Sequence, residues 1–367
     1  MNQLRIKDIT DYLETIAPPS YQESYDNSGL LTGDPDDEVT GILVTLDCTE
    51  AVVEEAIGKG FNLIIAHHPI IFRGLKRLTG RNYVERTVIT AIRHRIAIYA
   101  IHTNLDNVYR GVNHKICEKI GLKKLRILQP RTDVLAKLVT FVPQEHTGVV
   151  LDALYGAGAG QIGNYENCSF RVQGKGTFKP NEDANPAIGE RHVQETVEEN
   201  RIEVIFPAFR QTAVMRALRN AHPYEEVAYY LTHLTNAHQE VGAGMIGELL
   251  APEEPRAFLE RLKNCMDLQV IRHTRLLNQP IQKVAVCGGS GSFLLPQARR
   301  AGAQVYISAD FKYHEFFDAE DQIIIADIGH YESEIHTRDL LGEYLTKKFP
   351  NFAISFSSTV TNPISYL

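Results

Sequence analysis

The chain has 367 residues and a mass of 41.2 kDa, so two or three compact units are expected. Hydrophobic residues make up 44% and charged residues 23%, a globular balance that excludes a disordered or fibrous chain. A net charge of -7 argues against electrostatic binding to nucleic acid or anionic membrane.

The opening stretch, MNQLRIKDITDYLETIAPP, reads as an amphipathic helix without a signal-peptide apolar core. Apolar runs such as Leu63 to Ala66 and Ile323 to Ala326 are too short to span a bilayer. The cysteines (Cys48, Cys117, Cys168, Cys265 and Cys287) are scattered and lack CxxC spacing, so neither a disulfide framework nor a thiolate zinc site is expected. These features predict a cytoplasmic protein with no membrane attachment.

In the first third, strands are expected at Gly41 to Asp47, Asn62 to Ala66 and Ile96 to Ile101. Helices are expected at Glu50 to Gly58, with Thr49 as N-cap, at Tyr83 to His94 and near Val112 to Ile120. This alternation predicts βαβ units and a mostly parallel sheet. The last third repeats it. Lys283 to Cys287, Val305 to Ala309, Gln322 to Asp327 and Phe352 to Ser358 read as strands, Leu294 to Ala301 and Glu332 to Phe349 as helices.

The middle differs. Leu138 to Val142, Phe170 to Gly174, Arg201 to Pro207 and Ala228 to His233 read as strands of an α+β unit, separated by helices Gly148 to Tyr155 and Phe209 to Ala221. The polar run Asn181 to Asn200 reads as a solvated loop or hairpin tip. Thr235 to Gly244 reads as a linker. The fold class is therefore α/β: two related halves, residues 1–129 and 236–367, form one outer domain interrupted by an α+β insert at 130–235.

Three clusters sit at expected strand ends, where open α/β sheets bind ligands. His67 and His68 follow NLIIA; two adjacent imidazoles there can serve different metal ions or simply be solvated loop residues. His102 and Asp106 follow IAIYAI, where Asp106 is a metal ligand, a general base or a turn cap. His330 and Glu334 follow QIIIAD and share one helix face at a spacing of four, with Glu332 as a competing candidate. An acidic cap at a helix start would also explain the two glutamates. Together the clusters suit zinc, iron or manganese, and two ions with open positions for water. Gly288 to Gly291 reads as a tight turn or a phosphate cradle, and Asp26 to Gly29 and Asp310 to His314 as polar segments able to line a site.

With these motifs in place, Tyr25-Asp-Asn-Ser-Gly-Leu-Leu-Thr-Gly33, Ala66-His-His-Pro69, His102-Thr-Asn-Leu-Asp106 and Gly329-His-Tyr-Glu-Ser-Glu334 resemble the signatures of the Nif-three-like dinuclear metal-centre proteins, also known as GTP cyclohydrolase type 2 homologues. The resemblance covers nearly the whole chain. It implies metal ligands at His67, His68, Asp106, His330 and Glu334, all of them among the residues the strand-end clusters offer. His102 is implied as a further ligand or a partner behind the ligands. A homo-hexameric toroid and an insert similar to CutA and the PII signalling proteins, with His222-Pro-Tyr-Glu-Glu226 as its most typical stretch, are also implied. The function expected is a metal-dependent hydrolase acting on a nucleotide or related heterocycle, with two divalent ions and with His102 or Glu332 moving protons. The alternative is a non-enzymatic hexameric metal-binding scaffold, sensor or metal-handling protein regulated through the insert.

Overall fold

Three apolar runs pair as a parallel sheet. Ile42–Thr45 lies beside Leu63–Ala66, which lies beside Ala97–Ala100. Every residue of the three strands is buried, as expected of parallel strands covered on both faces. Gly29–Thr32 closes one edge in antiparallel fashion, and Ile354–Phe356 closes the other in parallel. The chain's last strand thus returns to the first sheet, although its sequence position grouped it with the final third. The helix Glu50–Lys59 packs against this sheet, and its N-cap is Thr49, whose hydroxyl accepts the Val52 amide. The structure, a computed structural model, describes residues 4–367.

A second sheet has the order Arg272–His273, Ile324–Asp327, Val305–Ala309, Ile281–Ser290, His238–Glu253, Lys123–Arg131. Its centre is parallel, Ile281–Ser290 with Val305–Ala309 and that strand with Ile324–Asp327. His238–Glu253 pairs antiparallel with Ile281–Ser290. This corrects the linker reading of Thr235 to Gly244, much of which lies in a 16-residue strand. Its glycines and polar residues hide the strand locally. Backbone bonds between residues 240–242 and Asn107 to Tyr109 hold its early part, and the ladder with Ile281–Ser290 takes over from Met245. The long helix expected from Glu332 to Phe349 is instead a short turn, His330–Glu334, followed by a separate helix, Thr337–Lys348. The Ser333 hydroxyl donates to the His330 carbonyl and accepts the Gly289 amide, tying that turn to the neighbouring sheet.

Residues up to Gln129 together with Glu240–Leu367 form one compact unit, and Pro130–Gln239 forms another. The second unit is an antiparallel sheet in the order Phe170–Phe178, Glu195–Pro207, Leu135–Pro143, Tyr229–Leu234. Ala136, Leu138 and Val142 alternate along one strand and Ile202, Val204 and Phe206 along its neighbour, and both sets bury against Val150, Leu154, Val214 and Leu218 of helices Thr147–Gly156 and Gln211–Ala221. The polar run from Asn181 is a loop only to residue 194. Glu195 to Asn200 belong to a strand that pairs residue for residue with Gln173 to Phe178. Among the described residues no helix is long and apolar enough to cross a membrane.

Candidate metal centre

The outer unit gathers its chemistry where strands end. Asp47 stands two residues beyond Ile42–Thr45, His67 and His68 directly follow Leu63–Ala66, and His102 comes just after Ala97–Ala100. From the second sheet, Asp310 follows Val305–Ala309, and His330 follows Ile324–Asp327 through Gly329. Parallel strands end on the same side of their sheet, so residues far apart in the chain reach one place; His68 and Glu334, now in contact, are 266 positions apart. Asp106 closes the short helix Thr103–Asp106, and Glu334 closes His330–Glu334.

Each of four imidazoles has its Nδ1 fixed by an oxygen. His67 Nδ1 meets the Ile101 carbonyl at 2.8 Å, His68 the Asp47 carboxylate at 2.8 Å, His102 the Asp26 carboxylate at 2.8 Å and His330 the Asp310 carboxylate at 2.6 Å. An Nδ1 that donates leaves the lone pair of a neutral ring on Nε2. Carboxylate or carbonyl oxygens behind the ring are the usual way to orient a metal-binding histidine. His68 Nε2 lies 2.9 Å from Glu334 Oε2, His330 Nε2 lies 3.1 Å from the same oxygen, and the two nitrogens are 3.4 Å apart. On the other side, His67 Nε2 lies 3.6 Å from Asp106 Oδ1 and 3.8 Å from Glu334 Oε1.

Whether these residues fit a metal is decided by two atoms. His67 Nε2 and Asp106 Oδ1 are buried, face one another and have no hydrogen-bond partner. A buried polar atom left unsatisfied costs about 1–3 kcal/mol, and a divalent cation is the partner that satisfies an imidazole lone pair and a carboxylate oxygen together. Three donor groups can each hold an ion: His67 with His68 and His102, His68 with His330 and Glu334, and His67 with Asp106 and Glu334. The donor set fits.

Electrostatics agree with that reading. Burial pushes the Asp106 carboxyl up to about 8, helped by the charge of Glu334. Burial opposes the ionised form of Glu334 too, but hydrogen bonds from His330 and His68 overcome it and hold Glu334 well below the usual range. Burial disfavours a charged His68, yet Asp47 and Glu334 on either side raise it to about 10. Without an ion, a proton on His68 provides the positive charge the carboxylates require. Burial also works against an ionised Asp26, and the bonds from His102 and Thr103 outweigh it and hold that carboxyl low.

The structure therefore brings together His67, His68, Asp106, His330 and Glu334, and adds His102 through the group it forms with His67 and His68. It places Glu332 elsewhere: its carboxylate accepts the Asn362 side-chain amide at 3.1 Å. Gly288 and Gly289 are not a phosphate cradle, since their amides go to Asn113 Oδ1 and Ser333 Oγ. Gly289 has φ +61°, and a Cβ there would lie 2.4 Å from Glu334 Oε1, so the backbone passes close beneath that carboxylate. Sequence reasoning missed Asp26, Asp47 and Asp310 as holders of the imidazoles. For Asp47 and Asp310, a carboxylate just past a strand was the available signal. In the structure Asp310 also has a positive φ of 59°, uncommon for a residue other than glycine.

A cavity of about 630 Å³ opens beside the donors. Tyr25, Phe72, Tyr83 and Phe293 line it and are exposed. Among the described residues its lining contains no lysine or arginine.

The sequence profile of the Duf34/NIF3 (NGG1p interacting factor 3) family matches residues 4–363. A Halalkalibacterium halodurans protein named GTP cyclohydrolase 1 type 2 homolog is 39% identical over 364 residues, covering 98% of each chain. A Bacillus subtilis protein of the same name is 38% identical over 365 residues, again covering 98% of each. A crystal structure of a Bacillus cereus protein related to NIF3 superposes with a TM-score of 0.87 at 37% identity, covering both chains completely. With a profile match along nearly its whole length, the chain belongs to the Duf34/NIF3 family.

Proposed function

We propose that the protein is a hydrolase that uses two divalent metal ions and acts on a nucleotide or a related nitrogen heterocycle. The observation that carries this reading is the set of inward-facing Nε2 atoms beside the unsatisfied His67 and Asp106 pair. Glu334 supports two ions because Oε1 faces His67 while Oε2 faces His68 and His330. Imidazole and carboxylate donors without thiolate favour zinc, with iron or manganese as the other candidates. When bound, such ions supply Lewis acidity and a water of lowered pKa. Asp47, Asp26 and Asp310 keep three ring protons on Nδ1, so that the opposite nitrogens stay free to bind. His102, which forms a donor group with His67 and His68, is a further ligand or a proton carrier, whereas Glu332 holds Asn362 of the C-terminal segment. The aromatic residues around the cavity offer flat surfaces on which a heterocycle can stack.

The relatives' shared name points toward GTP, and it is carried here only as the first substrate to try. Metal-loaded protein should turn over GTP or another heterocycle from a panel, and a His68→Ala variant should not. Equal turnover by the two proteins defeats the reading.

A second reading is a non-enzymatic hexameric scaffold, sensor or metal-handling protein, with a PII-like insert that regulates it. It is favoured by the lack of lysine and arginine along the cavity among the described residues, which leaves a polyphosphate without a side-chain cation. Readily exchangeable metal with no turnover across the panel selects it. Both readings include a cytoplasmic homo-hexamer, so light scattering should give about six times 41.2 kDa.

A further inference from the structure

The inserted unit has a cavity of its own, of about 790 Å³, on the sheet face opposite the two helices. Phe141, Glu199, Arg201 and Tyr230 alternate with the residues buried against those helices and line it. The loop after Phe178 covers one side and is tied down. Asn181 Oδ1 accepts the Asp183 and Ala184 amides, and the Asn185 amide donates to Glu225 Oε1 at 2.7 Å.

Glu199 is the unusual group. It is only 7% exposed, and its carboxylate accepts one side-chain hydrogen bond, from the Tyr224 hydroxyl at 2.9 Å. No ion pair reaches it among the described residues. Two of the three cations on the lining are engaged elsewhere, Arg201 with Glu203 at 2.8 Å and Lys175 with Glu198 at 3.4 Å, and the third, Lys179, is exposed. A Cβ at Gly176 would lie 1.9 Å from Glu199 Oε2, so only glycine lets this carboxylate lie across the neighbouring strand. A buried carboxylate with so little compensation is costly, and a ligand with N–H donors would satisfy it. Aromatic pairs stand on either side, Phe141 with Tyr230 at 5.6 Å and Phe178 with Tyr224 at 5.7 Å between ring centroids.

We propose that this cavity binds a planar heterocycle whose edge presents two adjacent N–H donors to Glu199, with the ring held among Phe141, Tyr224 and Tyr230. A carboxylate accepts two parallel N–H bonds, and aromatic faces hold a flat ring whatever its substituents. Guanine has such an edge, in its ring N–H and the adjacent amino group; adenine does not. Lys179, exposed on the same lining, offers a partner for an anionic substituent.

Calorimetric titration of the full chain tests this with guanosine, guanosine monophosphate and adenosine. One guanosine site per chain is expected, with adenosine at least tenfold weaker. Glu199→Gln should weaken guanosine at least tenfold. Tyr230→Ala, at an exposed position that spares the core, should weaken it several-fold. His68→Ala should leave this site intact, which separates it from the metal centre. Tighter binding of the monophosphate supports the proposal with a nucleotide ligand, and equal binding supports it with the base alone. Guanosine binding unchanged by Glu199→Gln, or absent at millimolar concentration, overturns the proposal.

Discussion

The two units build polar interiors in opposite ways. In the outer unit, four imidazoles and two carboxylates converge, and an oxygen behind each ring fixes its direction. In the inserted unit, one carboxylate, Glu199, lies on a sheet face with a single side-chain donor and aromatic neighbours. The first arrangement suits an ion, which needs several donors held at fixed directions. The second suits a flat organic molecule, which needs one or two hydrogen bonds and apolar surface. The contrast also locates stability. Both units rest on apolar cores, but the centre of the outer unit also gathers carboxylates whose charge a bound ion or a proton on His68 would balance.

The largest effect is expected from removing a carboxylate of the donor set. Glu334→Gln takes away a charge shared by two of the three donor groups, and metal affinity should fall by more than about 100-fold, given that changes even behind the ligands cost 10–100-fold. Elemental analysis after dialysis reads this directly, and full retention of metal would contradict the assignment. Next in size is Leu138→Ala in the insert's core, where Leu138 is fully buried. It should cost about 2–5 kcal/mol on denaturant unfolding of the insert, while metal content stays at the wild-type level. Loss of metal in that variant would mean that the two interiors are not independent.

Asp310→Asn should have a smaller effect. It keeps the shape but weakens the acceptor behind His330, so metal affinity should drop about 10–100-fold with little change in fold. A competition titration with a chelating dye measures it. The smallest effect concerns Glu55, whose carboxylate accepts bonds from Ser357, Ser358 and Thr359 of the C-terminal segment. Burial works against its ionised form, but those bonds hold it down at about 2. Because the folded value lies below the unfolded one, its stabilising contribution is present above about pH 4.3 and is lost as pH falls toward 2. Glu55 is only partly exposed but lies close to the surface, and solvent screening there keeps the effect to at most about 1 kcal/mol. Wild type should therefore lose slightly more stability than Glu55→Gln between about pH 5 and pH 3, and parallel pH profiles would rule the contribution out.

Much of the metal site was legible because a parallel sheet puts its strand ends together. Adjacent histidines after Ala66, the His102 to Asp106 spacing and the His330 to Glu334 spacing each mark a strand end with metal-binding side chains. The residues behind the ligands were harder to see. Asp47 lies 21 positions from His68 and Asp26 lies 76 from His102, and a lone aspartate in a loop looks like any turn cap. In the fold, Lys123–Arg131 escaped notice because charges and a proline interrupt its apolar residues, and its place is set by the second sheet. Ile354–Phe356 was visible as a strand, but its partner Ile42–Thr45 lies about 310 positions away, a pairing no local pattern can specify. The cavity in the insert was hidden for a similar reason. A polar stretch signals solvent exposure, while Asn181 and Glu225 fold it back over the sheet.

On the reading proposed above, the strand-end donors hold two metal ions. Anomalous diffraction from crystals of the metal-loaded protein, recorded on both sides of the metal's absorption edge, tests it most directly. Two peaks are predicted, one against His67, Asp106 and Glu334 and the other against His68, His330 and Glu334. No peak among these residues, or a single ion bound at Glu332 instead, would contradict the account.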